Sequence, residues 1–334
     1  MRFTILGAGA IGGVVGAKLH QSGHDVALIA RGSHYGAIRE HGLTVEQPHA
    51  PAAHLQIPAA DSPNGIGWTG DEVVIVATKS QDTAAALESL RAAAPASTPV
   101  LCLQNGVENE RIALRLFANV YGAVVMAPTA HIEPGIVQAY GTRGTGVIDV
   151  GRYPSGLDAL CEEIADALGT SEFSSMARPD IMRFKHAKLL ANLANAVDAI
   201  CQPGPPADEV IRLAREEGRA ALTAAGIEFV AEGVNDVVSR WEALDVQPIA
   251  GRERAGSSTR QSVVRGMPTV ETDYLNGEIA LLGRLHGVAT PVNDALCESS
   301  ARHVRERRGA GTLPAGEVLA LARSAQYADG SVRR

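Results

Sequence analysis

Three polar residues recur along Phe184–Asn195 at the spacing of one helix face. Lys188, Asn192 and Asn195 stand at i, i+4 and i+7 among leucines and alanines. A lysine and two carboxamides are costly to bury without partners, so such a stripe faces either a polar cleft or open solvent. In a cleft, an ammonium group can polarise a ketone and then protonate the alkoxide left by hydride addition. Lys188 suits that work, and Asn192 and Asn195 could orient hydroxyl or carbonyl groups of the reactant.

A hydride donor would need its own site, and the amino-terminal residues have the chemistry for one. Gly7-Ala8-Gly9-Ala10-Ile11-Gly12 reads GxGxxG between a strand-like and a helix-like run. Gly7 permits a tight turn, Gly9 lets backbone approach a pyrophosphate, and Gly12 permits close packing of helix on strand. The N–H groups at the helix start then face the anion. A second strand ends Ile29-Ala30-Arg31, where an NAD-specific site would carry Asp or Glu for the ribose hydroxyl. The Arg31 guanidinium can instead pair with a 2′-phosphate, which favours NADPH; the alternative is a solvated loop arginine. Lys79 follows the strand ending Val76-Ala77-Thr78, and Asn105-Gly106 follows the one ending at Gln104. Both fall at the carboxyl edge of a parallel sheet, where ligands bind in open α/β folds. Lys79 could be a second cation near phosphates, and the Asn105 amide could lie beside nicotinamide or substrate. A solvated lysine and a simple Asn-Gly turn are the competing readings.

The elements that carry these residues alternate. Strands are expected at Phe3–Leu6, Asp25–Ala30, Glu72–Ala77 and Val100–Leu103, with helices at Val14–Gln21 and around Thr83–Ala94. From Tyr121 to about Tyr153 the pattern is β-like without a further crossover helix, and is read as the far edge of the sheet. Beyond Arg178 a long amphipathic helix is expected over Asp180–Ile200, stopped by Pro203, Pro205 and Pro206. The fold class is therefore α/β: a Rossmann-type doubly wound sheet over residues 1–178 and a mainly helical domain over 179–325. Residues 326–334 are expected to form a flexible tail after a helical patch near Glu317–Arg323.

Composition excludes several classes of function. The chain has 334 residues, 46% apolar and 20% charged, which fits a soluble two-domain protein. A net charge of −7 and the absence of an aromatic-interleaved Lys/Arg block argue against nucleic acid as partner. Cys102, Cys161, Cys201 and Cys297 form no CxxC pair, so neither a zinc site nor a disulfide framework is expected, and a reducing cytoplasm fits. No apolar run approaches the roughly 18 residues of a membrane span.

Taken together, the residues resemble the ketopantoate reductase family, the 2-dehydropantoate 2-reductases. The resemblance spans nearly the whole chain. It rests on Gly7–Gly12 with Arg31, Thr78-Lys79, Gln104-Asn105-Gly106, Lys188 with Asn192, Ser257-Ser258 followed by Gln261, and Glu271 to Gly277. It implies an NADPH-binding domain, a helical second domain, a site in the cleft between them, a small 2-keto acid substrate and a place in pantothenate biosynthesis. It also implies roles: Lys188 as catalytic general acid, Asn105 and Asn192 as positioning groups, and Arg31 and Lys79 as cofactor-side cations. Ser258 matches the serine that holds the substrate carboxylate, and Glu271 the acidic residue beside Lys188 and the nicotinamide ribose.

From physics alone, Glu271 opens a helix after Pro268, so a capping role is the alternative reading, and the two serines could be loop residues. Two departures from the family pattern point to altered substrate contacts. Ser262 stands where many members have Asp, and a second family asparagine falls on Ala196, with Asn195 beside it. The stretch Trp241–Arg254 is longer than a compact member needs and could reshape the cleft entrance. Two other functions fit the same fold: reduction of a different carbonyl or imine, and a non-catalytic NADPH sensor. A homodimer is left open.

Overall fold

The computed structural model describes residues 1–232, 235–252 and 256–332. The chain divides into two compact units, Met1–Lys185 with Gly233–Arg254, and His186–Glu232 with Ala255–Arg334.

The first unit opens with β1 (Arg2–Leu6), α1 (Ala10–Gln21), β2 (Asp25–Ile29) and α2 (Gly32–His41). Short strands follow, β3 (Leu43–Glu46), β4 (Ala53–Leu55) and β5 (Ala59–Ala60), before β6 (Glu72–Val76), α3 (Thr83–Ala93), β7 (Val100–Cys102) and α4 (Asn109–Leu114). The unit continues through β8 (Val120–Met126), β9 (Thr129–Ala130), β10 (Ile136–Ala139), β11 (Gly146–Arg152), α5 (Ala159–Thr170) and β12 (Phe173–Ser174). Eight strands form one sheet in the order β12-β11-β8-β7-β6-β1-β2-β5. The strands from β5 to β8 run parallel, and β11 lies antiparallel to β8. Central strands such as β6, Glu-Val-Val-Ile-Val, are buried along their whole length because helices cover both faces.

From β1 the chain moves outward to β2 and β5, then returns to β6 on the other side. The carboxyl ends of β1 and β6 are therefore the switch point at which such sheets hold ligands. The expected far edge is only part of the fate of Tyr121–Tyr153: β8 and β11 extend the main sheet, but β9 and β10 join β3 and β4 in a second sheet. The order there is β4-β3-β10-β9, and α1 packs against it as well as against the main sheet. Gly13 makes that close approach feasible, since a Cβ there would lie 2.8 Å from Val137.

The second unit is helical. Here α6 (Ile181–Asn192) and α7 (Ala194–Ile200) replace the single helix expected over Asp180–Ile200, with a break at Leu193. Two side chains meet the backbone around the break: Asn276 Nδ2 donates to the Leu193 carbonyl at 3.2 Å, and Arg215 Nε donates to the Leu190 carbonyl, in the last turn of α6, at 3.3 Å. Then come α8 (Pro205–Ala224), α9 (Asp236–Glu242), α10 (Ser258–Val264), α11 (Thr272–His286), α12 (Pro291–Arg305) and α13 (Ala315–Val332). Of these, α9 belongs to the first unit and packs on β11. The last helix takes in the expected patch Glu317–Arg323 and runs on to Val332; residues 333–334 of the expected tail lie outside the described residues.

The stretch from Trp241 onward packs on the first unit. Val246 bridges to Gly141, and Ile249 buries itself with Ala130 and Tyr140. Arg252 Nη2 pairs with Glu46 at 2.8 Å, and its other amino group pairs with Glu133. Residues 253–254 of this stretch lie outside the described residues.

Candidate active site

In the first unit the structure gathers four of the expected elements at one sheet edge. Gly7 has φ +105°, a conformation glycine adopts freely, and both Gly7 and Ala8 N–H groups donate to the Ile29 carbonyl at 3.0 Å. The loop is thereby tied to the end of β2, where Arg31 starts α2 with an exposed side chain. A Cβ on Gly12 would lie 2.2 Å from the Gly7 carbonyl oxygen and 2.9 Å from Ala77 Cβ, so only glycine fits where helix meets sheet. At Gly9, by contrast, a Cβ would meet nothing within 4 Å among the described residues. The surface over Gly9 is open backbone at the N-cap of α1, and the amides of Ala10, Ile11 and Gly12 lie in the first turn, without intrahelical acceptors. That is a cradle suited to a pyrophosphate.

Lys79 and Asn105 leave the neighbouring strands β6 and β7. Their loops are fastened by buried side chains: Gln104 Nε2 donates to Thr83 Oγ1 at 2.7 Å and to Thr78 Oγ1 at 3.3 Å. Asn109 Nδ2 donates to the Asn105 carbonyl at 3.0 Å, while its Oδ1 accepts from Thr83 at 2.8 Å. Asn105 is thus held by its backbone, and its side-chain Oδ1 is buried yet accepts no hydrogen bond among the described residues. A buried acceptor in that condition is costly unless a ligand supplies a donor, which fits a site for a carboxamide or hydroxyl.

Beneath this edge lies a feature the sequence reading did not find. Lys185, on α6, pairs with Glu110 at 2.8 Å and donates to the Gln104 carbonyl at 2.8 Å and the Ala123 carbonyl at 3.0 Å. Both side chains are essentially inaccessible, and burial pushes the Glu110 carboxyl above its usual range despite the ammonium beside it. Lys185 therefore fixes the strand end from which Asn105 projects.

In the second unit, Lys188, Asn192 and Asn195 are all half-buried, while Leu189, Leu190, Leu193 and Ala196 between them are buried. Half-burial of the three polar residues continues past the break at Leu193. Ser257 and Ser258 begin α10, which packs on α7: Ser257 Oγ caps the helix through the Arg260 N–H and donates to the Asn195 carbonyl at 3.4 Å. Ser257 is thus structural, whereas Ser258 Oγ and Asn192 Oδ1 are buried without hydrogen-bond partners among the described residues. Glu271 is 4% exposed and sits at the N-cap of α11, and its side chain makes no capping hydrogen bond to that helix.

The second unit also has a polar spine that sequence reading missed. Glu217 accepts from the N–H groups of Val292 at 2.9 Å and Asn293 at 3.0 Å, capping α12 from α8. Asn293 Oδ1 accepts from Asn276 at 3.0 Å, and Asn276 reaches the Leu193 carbonyl. Burial raises the Glu217 carboxyl, opposed by those donors. Partners so far apart in sequence leave no local signal.

An open depression of about 720 Å³ lies at the opposite, amino-terminal edge of the main sheet, lined by Arg2, Asp25, Asp71 and Glu72 among others. Arg2 is already paired with Asp25 at 3.2 Å and Glu72 at 3.4 Å, so the surplus charge is negative and repels a phosphate. Among the described residues no group of three or more His, Cys, Asp or Glu could hold a metal ion, and no helix is long and apolar enough to cross a membrane.

Comparison with known proteins meets this geometry at both units. The family described as ketopantoate reductase PanE/ApbA matches residues 3–155, and its C-terminal counterpart matches residues 180–303. The chain belongs to the ketopantoate reductase family. A 2-dehydropantoate 2-reductase of Pyrococcus horikoshii is 30% identical over 88% of this chain and 94% of its own. That of Archaeoglobus fulgidus is 30% identical over 88% and 95%. Among solved structures, a PanE/ApbA family ketopantoate reductase from Ralstonia eutropha JMP134 is 29% identical with a TM-score of 0.76, covering 92% of this chain and 99% of that one. A D-mandelate dehydrogenase in ternary complex with NADH and anilino(oxo)acetate shares the fold at TM-score 0.76 and 24% identity, over 92% and 99% of the two chains. Members of the ketopantoate reductase family are oxidoreductases acting on a CH–OH group, and this chain is one of them.

Proposed function

We propose that this ketopantoate reductase family member binds NADPH on its first unit and reduces a small 2-keto acid, with ketopantoate the leading candidate. The observation that carries the cofactor assignment is Arg31, a cation rather than a carboxylate at the end of β2, next to an open glycine cradle. NADPH, when bound, supplies the hydride. The amides of Ala10–Gly12 and the Arg31 guanidinium bind its phosphates, with Lys79 as a second cation. Asn105, rigidly backed by Asn109 and Lys185, offers its unpartnered Oδ1 to an amide or hydroxyl donor. Lys188 polarises the ketone and releases a proton to the forming alkoxide, Ser258 holds the carboxylate, and Asn192 and Asn195 orient the remaining polar groups. Glu271 holds the ammonium and the ribose.

The reaction would supply pantoate for pantothenate biosynthesis. Four free cysteines support a cytoplasmic setting, and a homodimer belongs to the same proposal. One observation favours a second reading, a different keto acid. Ser262, where many members have Asp, is buried, and its hydroxyl donates to the Ser258 carbonyl at 3.2 Å, so no charge stands at that point.

The test is NADPH oxidation with a panel of 2-keto acids including ketopantoate. Lys188→Ala should lower kcat by about 10²–10⁴. An unaltered kcat in that variant removes Lys188 from the chemistry, and turnover of other keto acids but not ketopantoate selects the second reading.

A further inference from the structure

A buried histidine lies directly behind the glycine loop. His34, on the first turn and a half of α2, is 8% exposed, and its Nε2 lies 2.7 Å from the Ala8 carbonyl oxygen. Its other ring nitrogen, Nδ1, accepts from the Gly135 N–H at 2.9 Å. A nitrogen that accepts carries no proton, so the neutral ring has its hydrogen on Nε2 and donates it to Ala8. The turn at Gly135 is itself anchored. Gly135 has φ +78°, its carbonyl accepts from Thr44 N–H at 2.8 Å, and a Cβ on it would lie 2.9 Å from Ala37 on α2. The His34 ring also lies against His131, with centroids 4.0 Å apart.

The Ala8 carbonyl is half of the Ala8–Gly9 peptide group, whose C=O and N–H point to opposite sides of one plane. Gly9 has no side chain to limit rotation of that plane, and rotating it would turn a carbonyl oxygen toward the anion in place of an amide hydrogen. Gly13 leaves the carbonyl room on the inner side, since a Cβ there would lie 2.9 Å from the Ala8 oxygen. We infer that His34, as the Nε2-protonated neutral imidazole, is a positioning residue for the cofactor: it fixes the Ala8–Gly9 peptide so that the Gly9 amide faces the pyrophosphate. It does this from the helix that Arg31 begins, so one element orients the loop and meets the ribose phosphate. The inference rests on NADPH binding at Gly7–Gly12.

Two variants separate the bonds. His34→Asn retains an acceptor near Nδ1 for Gly135 but cannot reach Ala8. His34→Gln carries its amide nitrogen near Nε2 and can still donate to Ala8. NADPH affinity is read by fluorescence titration, alongside KM, kcat and the melting temperature. The Asn variant should bind NADPH about tenfold or more weakly, equivalent to ~1.4 kcal/mol, raising KM for NADPH far more than it lowers kcat, and the Gln variant should recover most of the affinity. The inference is overturned if the Asn variant binds like wild type, or if Gln loses as much as Asn. Wild-type protein that does not bind NADPH would instead overturn the cofactor assignment, and the inference with it.

Discussion

Two glycines three residues apart are predicted to fail in opposite ways. Alanine at Gly12 would put a methyl 2.2 Å from the Gly7 carbonyl, 2.9 Å from Ala77 Cβ and 3.0 Å from Ile5 Cγ2, the last of them on β1 and the other two just past the ends of β1 and β6. The helix must move outward, and overpacking of this kind costs about 1–3 kcal/mol. The better helix propensity of alanine offsets less than about 1 kcal/mol of that. At Gly9 a methyl meets no protein atom, and the backbone there, φ −73° and ψ −152°, is open to alanine. The weaker N-cap and the reduced freedom of the unfolded chain nearly cancel, leaving a change within about 0.5 kcal/mol. The methyl would nonetheless stand where a pyrophosphate must touch backbone. Gly9→Ala should therefore melt like the wild type yet bind NADPH at least about tenfold more weakly, a loss of ~1.4 kcal/mol. Gly12→Ala should lower the melting temperature by several degrees. Thermal unfolding and NADPH titration on both proteins decide the matter. Wild-type affinity in Gly9→Ala would refute the cradle, and an unchanged melting temperature in Gly12→Ala would refute the packing argument.

Arg31→Ala should raise KM for NADPH by about 10–100-fold, since a hydrogen bond to a charged group is worth ~1.5–3 kcal/mol, and leave the poorer NADH kinetics nearly unchanged. Equal losses with both cofactors would dismiss the 2′-phosphate contact. Lys185→Met strands Glu110 in the core and should cost about 3–5 kcal/mol of stability by denaturant unfolding. In that variant the ammonium that opposes the effect of burial is gone, so the Glu110 carboxyl is raised further and its native state holds the proton after the unfolded chain has released it. Stability then falls as pH rises above the ordinary carboxylate range, and the loss should be smaller at pH 5 than at pH 8, both pH values being approximate. The thiols should be silent in the native protein. Burial pushes Cys161 and Cys201 up to about 11, Cys297 to about 12 and Cys102 well above its ordinary value, so little thiolate exists near neutral pH. A colorimetric disulfide reagent should titrate four thiols only after denaturation; rapid reaction beforehand would contradict the burial.

Features that one residue type expresses alone were legible in the sequence. Gly7, Gly9 and Gly12 serve as turn, open surface and packing point because each role depends only on the missing side chain. The spacing of Lys188, Asn192 and Asn195 was equally plain, since it is local, and all three are half-buried in the structure. What places and backs these groups was not legible. His34 depends on Gly135, Lys185 on Glu110 and Ala123, and the backbone around the break at Leu193 meets Asn276 and Arg215; each partner is supplied by a distant segment. Strands of two to four residues, such as β9 and β10, carry too little pattern to say which sheet they join. Of the readings open for Glu271, the structure bears only on the capping hydrogen bond, and the side chain makes none to α11.

The path of the chain between its two units has a practical side. Gly233–Arg254 leaves the helical part and returns to the sheet part before the backbone goes back again. A gene cut once near the start of α6 would therefore not yield two self-sufficient halves. The downstream fragment would carry Val246 and Ile249 away from Gly141, Ala130 and Tyr140, exposing greasy surface and inviting aggregation. Anyone wishing to swap cofactor modules between relatives must transplant two stretches of sequence and leave the intervening helices in place.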